Sequence, residues 1–144
     1  MTIASILARK GGRVITVRPD QSVRQALGLL AQHNIGALVV VSETGAPVGI
    51  VSERDIVREA VRHERVFERM VESIMTRDVV VGVPQDDVAS VAHTMTERRI
   101  RHLPVLDEGR LVGIVSIGDV VKAQRDQYAG QVDTLELQIT GDER

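Results

Sequence analysis

Two short motifs carry the residues of this sequence that are best suited to bind a ligand. Both read Gly-Ile-Val-Ser-x-x-Asp, so Ser52 lies three residues before Asp55 and Ser116 lies three residues before Asp119. A serine and an acid at this spacing, ahead of an apolar helix, are typical of a capping box. The same helix start also places amide groups and a positive dipole end where a phosphate or ribose can bind. The two interpretations are compatible, and the sequence leaves both open.

The other polar residues do not form a recognisable catalytic or metal-binding set. The sequence has no cysteine, which excludes disulfides, thiolate zinc sites and cysteine nucleophiles. Its four histidines show no paired ligand spacing, and the glycines at 11 and 12 lack the lysine and helix of a phosphate-binding loop. The adjacent acids Asp86 and Asp87 follow a proline and are typical of a helix N-cap. We therefore expect a protein that is not an enzyme and holds no metal.

Both motifs belong to a longer internal repeat, in which residues 14–58 recur as residues 79–122. Matching positions lie 65 apart before the hairpin turn, as with Pro19 and Pro84, and 64 apart beyond it. The second copy has therefore lost one residue, at a turn where the chain tolerates such a change. The sequence is two copies of one structural unit.

Each copy has the pattern of a β-α-β-β-α unit, and the predicted fold class is α/β (α+β). A β-branched strand leads to an amphipathic helix with a polar N-cap, and a hairpin of two continuously apolar strands follows. A second helix begins directly at Ser52 or Ser116. A unit of about 55 residues exposes too much apolar surface on its own. We expect the two copies to pack together, with a three-stranded sheet in each.

The segments outside the copies have helical patterns. Residues 63–78 are charged and place Val66, Met70 and Ile74 four residues apart, which predicts a connecting helix. After the second copy, Tyr128 and Leu135 belong to a heptad-like stripe. This stripe predicts a helical tail at residues 125–144, with a strand as the alternative.

The composition is typical of a compact globular domain. The 144 residues carry a net charge of −2 and an aromatic fraction of 1%, whereas modules that bind nucleic acid usually have a basic face or aromatic stacking platforms. No segment is long and apolar enough to span a membrane, and the N-terminus has no basic leader. We expect a cytoplasmic protein that binds neither nucleic acid nor membrane and holds any flat ligand between aliphatic side chains.

Both copies resemble CBS (cystathionine β-synthase) repeats, through the doubled serine-aspartate motif, the apolar helix pattern and the start of the hairpin. The resemblance implies a Bateman module with pseudo-twofold symmetry, in which residues 1–62 and 79–124 are the repeats. Residues 63–78 connect them, and residues 125–144 form the tail. It also implies an adenine nucleotide in the clefts between the repeats, with AMP as the first candidate and ADP, ATP, NADH or S-adenosylmethionine as the others. A homodimer that regulates an unidentified protein is expected.

In such a module the motif aspartate binds ribose hydroxyls, the neighbouring serine holds ribose or phosphate, and the opposite repeat contacts adenine. The residues expected at the first cleft, the Asp55 cleft, are Ile50, Ser52, Arg54, Asp55, Thr76, Val79, Val80, Arg101 and His102. Those expected at the second cleft, the Asp119 cleft, are Val14, Ile15, Gly36, Ala37, Ile114, Ser116, Asp119 and Lys122.

The sequence predicts that the two clefts differ in charge. Arg54, Arg101 and His102 give the Asp55 cleft groups that bind phosphate, whereas Lys122 is the only candidate cation near the Asp119 cleft. We therefore expect the Asp55 cleft to be the better nucleotide site. The first hypothesis is a stand-alone, non-catalytic nucleotide sensor. The alternative is a constitutive dimerisation scaffold whose clefts are empty or only structural.

Overall fold

A computed structural model describes residues 1–11 and 13–129 of the chain. The elements of the described residues are α1 (Ile3–Lys10), β1 (Thr16–Val17), α2 (Val23–His33), β2 (Ala37–Val41), β3 (Pro47–Ser52), α3 (Glu53–Arg62), the 3-10 helices Val66–Glu68 and Val71–Ser73, α4 (Val88–Arg98), β4 (His102–Asp107), β5 (Arg110–Ser116) and α5 (Ile117–Tyr128). This order confirms the predicted mixture of helices and strands, with two small sheets.

The two halves form different sheets. In the first half, β2 pairs in parallel with β1 and antiparallel with β3. In the second half, β4 and β5 form a two-stranded sheet, and the segment before them makes only one bridge, between Gly82 and Val105. The three-stranded sheet expected there is wrong because Pro104 occupies the position that Val39 has in the first half. Val39 pairs with Thr16, whereas a proline has no N–H to donate to a neighbouring strand.

Each half has its own buried apolar cluster, and α1 belongs to the cluster of the second half. Ile3 and Ile6 are buried there, with Leu7 packed against them. Val66 and Val71, which lie between the two copies in sequence, belong to the cluster of the first half. Each half therefore buries apolar side chains from the segment that precedes the other half.

The continuous connecting helix predicted at residues 63–78 is absent from the described structure. After α3 ends at Arg62 the chain makes two single 3-10 turns, and Met70 is half exposed. The backbone of this segment is hydrogen-bonded to the first half instead. Val71 N donates to Gln21 O at 2.8 Å, and Glu72 N donates to Pro19 O at 3.0 Å. Because amides used in this way cannot bond within a helix, these bonds exclude a continuous helix that runs through residues 71 and 72.

The predicted C-terminal stripe is only partly described. α5 runs to Tyr128, whose side chain is exposed, as is that of Val121. Leu135 and the other residues from 130 to 144 lie outside the described residues. The alternatives of helix and strand for that part of the tail therefore stay as predictions.

Residues 1–10 form backbone hydrogen bonds with the second half, and residues 69–78 form the equivalent bonds with the first half. Ile3 N donates to Asp86 O at 2.9 Å, and Val71 N makes the matching bond in the first half. Likewise Thr2 bridges to Asp87, as residue 70 bridges to residue 22. We call these two stretches the lead segments. Each precedes one repeat and packs on the other, which brings α1 beside the start of α5.

Candidate functional site

Both serine-aspartate motifs form the predicted capping box. At the start of α3, Asp55 Oδ2 accepts a hydrogen bond from Ser52 N at 2.9 Å, and Ser52 Oγ accepts one from Asp55 N at 3.1 Å. At the start of α5, the matching distances between Ser116 and Asp119 are 2.8 and 3.1 Å. In both halves one carboxylate oxygen is therefore used by the helix cap.

The residues that precede β2 and β4 complete each helix start. Gly36 O accepts a hydrogen bond from Glu53 N at 3.0 Å, and Arg101 O accepts one from Ile117 N at 2.9 Å. Each of these backbone groups therefore lies at the helix start of its own repeat. The assignment of Gly36 and Arg101 to the cleft of the opposite repeat remains a prediction.

His102 lies between the two helix starts. A Cβ added at Gly36 would lie 3.5 Å from both His102 Nε2 and Glu53 Oε1, which places the ring beside the first half. Charged groups beside the second half also affect the ring. Burial lowers the pKa of His102, Lys10 adds to this effect, and the carboxylate of Asp119 opposes it. The surroundings of His102 therefore favour the neutral imidazole.

Asp119 forms an ion pair with a residue that was not expected at this site. Lys10 Nζ lies 2.7 Å from Asp119 Oδ2 and donates a second hydrogen bond, at 2.8 Å, to Ile114 O. Burial raises the pKa of Asp119, but the hydrogen bonds from Lys10 and from Ser116, with the Lys10 charge, outweigh it and hold the pKa below its usual range. The carboxylate predicted to bind ribose is thus bound by an ammonium group.

Asp55 has different surroundings. Among residues 1–11 and 13–129 it forms no ion pair. The backbone of Thr76 pairs with that of Ile50, through N–O distances of 2.8 and 3.0 Å. The carbonyl of Ile50 therefore accepts a backbone amide, whereas the matching carbonyl of Ile114 accepts the Lys10 ammonium.

The expectation that Lys122 is the only cation near the Asp119 cleft is wrong. A cavity of about 100 Å³ opens between α1 and α5, and its lining residues are Met1, Ser5, Ile6, Arg9, Lys10, Asp119, Lys122 and Ala123. Arg54 and Arg101, the arginines predicted at the Asp55 cleft, are exposed on the surface.

A sequence signal for Lys10 does exist, outside the repeat boundaries predicted above. At an offset of 68, the lead segment of residues 1–10 matches that of residues 69–78, with Ser5 and Ile6 against Ser73 and Ile74. The match is short and lies apart from the main repeat. At this offset Lys10 is matched by Asp78, so the sequence itself shows that the two lead segments differ in charge at this position.

The remaining predicted site residues are mostly part of the packing. Ile15 packs on the first apolar cluster, Val80 packs on the second, and Ala37 is buried at the start of β2. Val80 also lines a second cavity, of about 130 Å³, beside α4. Val14 and Val79 are half-buried. Whether these residues contact a ligand remains a prediction.

Within the described part of the chain, no group of three or more histidine, aspartate or glutamate side chains is placed to hold a metal ion. The helices of that part also include none with the length and apolarity to cross a membrane.

The fold and the doubled helix starts define the class of protein. A family model of the CBS domain matches the chain twice, over residues 4–62 and 71–126. The chain therefore belongs to the CBS domain family, and the predicted tandem pair is confirmed. Both matches begin inside a lead segment, so these segments are part of the repeats.

The solved structures that are similar to this chain include the following three. The CBS-domain containing protein ATU1752 of Agrobacterium tumefaciens is 41% identical, with a TM-score of 0.82, over 85% of this chain and 92% of that one. The CBS domain pair of protein MJ0100, in complex with 5-methylthioadenosine and S-adenosyl-L-methionine, is 30% identical, with a TM-score of 0.78, over 88% and 98%. The CBS domain protein PAE2072 of Pyrobaculum aerophilum, complexed with AMP, is 25% identical, with a TM-score of 0.75, over 83% and 89%.

Proposed function

We propose that this protein is a non-catalytic regulatory module that binds an adenine nucleotide, with AMP as the first candidate, at the Asp55 cleft. The observation that carries the proposal is the difference between the two motif aspartates. Asp119 is paired with Lys10 at 2.7 Å, whereas Asp55 forms no ion pair among the described residues. The complexes of the similar proteins with AMP and with S-adenosylmethionine support the class of ligand.

The chemistry at the start of α3 suits a nucleoside phosphate. Asp55 Oδ2 is held by Ser52 N, and its other carboxylate oxygen lies on a half-buried side chain beside the helix start. A carboxylate accepts charge-assisted hydrogen bonds from a ribose diol, and such bonds are strong where water is partly excluded. The positive end of the helix dipole and the guanidinium of Arg54 then favour the phosphate.

The test is whether the purified protein binds AMP. Because the chain has no Trp and a single Tyr, a bound adenine would dominate its ultraviolet spectrum near 260 nm. Nucleotide-free protein is then screened for thermal stabilisation by AMP, ADP, ATP, NADH and S-adenosylmethionine. Ligand at roughly 100 times its dissociation constant adds about 2.7 kcal/mol to the free energy of unfolding. A nucleotide-free spectrum and a flat screen would contradict the proposal and favour the dimerisation scaffold.

We also propose that the module is a homodimer. Helices α3 and α5 occupy equivalent places in the two repeats, and both expose large apolar side chains. Val57 and Val61 of α3 are 64% and 85% exposed, and Val121 and Tyr128 of α5 are 57% and 55% exposed. A second copy would cover such a surface. Light scattering over micromolar concentrations measures the mass, and a monomer throughout would contradict this assembly.

A further inference from the structure

We propose that Lys10 is a displaceable plug of the second ligand site, so that the protein binds one nucleotide per chain at the Asp55 cleft while the Asp119 cleft is closed by its own lead segment. The proposal rests on the proposed nucleotide binding.

The contacts of Lys10 are those that a ligand at this cleft would need. The predicted ribose acceptor is the Asp119 carboxylate, and the ammonium lies 2.7 Å from its Oδ2. The same nitrogen donates to the carbonyl of Ile114, another residue predicted at this cleft, at 2.8 Å. One side chain therefore uses both the polar acceptor of the motif and the backbone acceptor of the adjoining strand.

The first half shows what this place looks like without a plug. There the matching carbonyl, of Ile50, accepts the backbone amide of Thr76 at 2.8 Å, and the motif carboxylate of Asp55 forms no ion pair within the described part of the chain. The residue at the position of Lys10 in that lead segment is Asp78, whose charge would repel Asp55. A plug of this kind is therefore possible in only one of the two halves.

The plug can move without unfolding α1. Lys10 is the last residue of the helix, and Gly11 follows it with a φ of +88°, a conformation that favours glycine. The helix is anchored at its other end by the buried side chains of Ile3 and Ile6. The ion pair is 35% exposed at the lysine and 25% at the aspartate, so solvent weakens it. An ammonium on a flexible four-carbon stem can swing into solvent while the helix stays docked.

The experiment is a calorimetric titration with AMP of the wild type, of Lys10→Met and of Arg9→Met. Methionine keeps the helix propensity and the length of the side chain but removes the charge. Arg9→Met is the matched control, because Arg9 is the neighbouring cation of α1 and pairs with Asp126 at 3.2 Å instead of with the motif. We expect one AMP per chain for the wild type and for Arg9→Met, and two per chain for Lys10→Met.

The possible outcomes separate the two proposals. One AMP per chain in all three proteins overturns the plug but leaves the nucleotide site at Asp55. Two AMP per chain in the wild type, with the same affinities as in Lys10→Met, also overturns the plug, because the Asp119 cleft would then be open already. Binding by none of the three proteins overturns the proposed function and the plug together. A gain of the second site in Arg9→Met as well would assign the effect to the general charge of α1 and would overturn the role of Lys10.

Discussion

The two halves of this protein carry the same binding motif in different surroundings. The capping boxes match to within 0.1 Å, with 2.9 and 3.1 Å in the first half and 2.8 and 3.1 Å in the second. The surroundings differ because a different lead segment packs beside each motif. In the second half it places Lys10 against Asp119, and in the first half it pairs the backbone of Thr76 with that of Ile50. The two copies therefore share one local motif, whereas the side chains that pack onto it differ.

The lead segments differ in conformation because their residues differ in helix propensity. Residues 3–10 are rich in Ala, Leu, Arg and Lys and form two turns of α-helix. Residues 71–78 contain Val, Ser, Thr and Asp and form a single 3-10 turn. The apolar anchor is nevertheless shared, since Leu7 packs over Gly113 and Met75 packs over Gly49. Only the longer helix carries a charged side chain as far as the motif.

The largest effect is expected from removing the anchor of a lead segment. Ile3 is fully buried in the second cluster, so Ile3→Ala should lower the free energy of unfolding by about 2–5 kcal/mol. Val71→Ala is the equivalent change in the first half and should cost less, because valine has one methylene fewer. Urea denaturation measures both, and the control is Glu43→Ala, whose side chain is 88% exposed and whose free energy of unfolding should stay within about 0.5 kcal/mol of the wild type. An Ile3→Ala protein as stable as the control would show that α1 is not part of the second core.

Removing each motif carboxylate separates the two clefts. Asp55→Ala should weaken AMP binding by about 1.5–3 kcal/mol, or roughly ten- to a hundred-fold, because a hydrogen bond to a charged group is lost. Asp119→Ala should change the affinity little, since Lys10 already occupies that carboxylate. The two variants are matched, because each loses the same half of a capping box. Calorimetry compares them, and equal losses of affinity would refute the difference between the clefts.

Substitution of the two packed glycines compares the lead segments directly. A Cβ at Gly49 would lie 2.6 Å from Met75 Sδ and 3.0 Å from the backbone oxygen of Thr76, whereas the nearest atoms to a Cβ at Gly113 are those of the Leu7 side chain, from 2.5 Å. Overpacking costs about 1–3 kcal/mol, and a side chain yields more easily than a backbone. We expect both alanine variants to unfold at lower urea concentration, with Gly49→Ala the less stable. If Gly113→Ala were the less stable variant, the contact of Leu7 with Gly113 would be the more rigid of the two.

The smallest effect is expected from the charge of Asp119. Its lowered pKa means that the ionised carboxylate stabilises the folded state. The advantage of the wild type over Asp119→Asn should therefore be complete at neutral pH, at no more than about 1 kcal/mol for a partly exposed pair. It should disappear as the pH falls below the usual aspartate pKa of about 3.9 and through the lower pKa of the folded state. Urea denaturation at both ends of this range measures the difference. The same comparison in a Lys10→Met background is the control, and an unchanged difference there would exclude Lys10 as its source.

The parts of this protein that the sequence predicted correctly depend on neighbours along the chain. Ser22 and Asp87 cap α2 and α4, and each motif serine binds the amide three residues ahead. The wrong predictions are those in which a local pattern competed with distant partners. The predicted connecting helix does not form, because amides of that segment donate to Gln21 and other groups of the first half. The third strand predicted for the second half does not form beside Pro104.

The sequence by itself determined the doubled unit, its helix caps and the aspartates that could hold a ribose, because these follow from residue types at fixed short spacings. Only the tertiary structure decided that the lead segments exchange halves and that Lys10 reaches Asp119, 109 residues further along the chain. A contact of that separation depends on how two apolar clusters are buried, since Ile3 and Ile6 must dock before the ammonium can arrive at the carboxylate. The spacing of residues along the chain shows that the lead segments differ in charge, but it does not show where they dock.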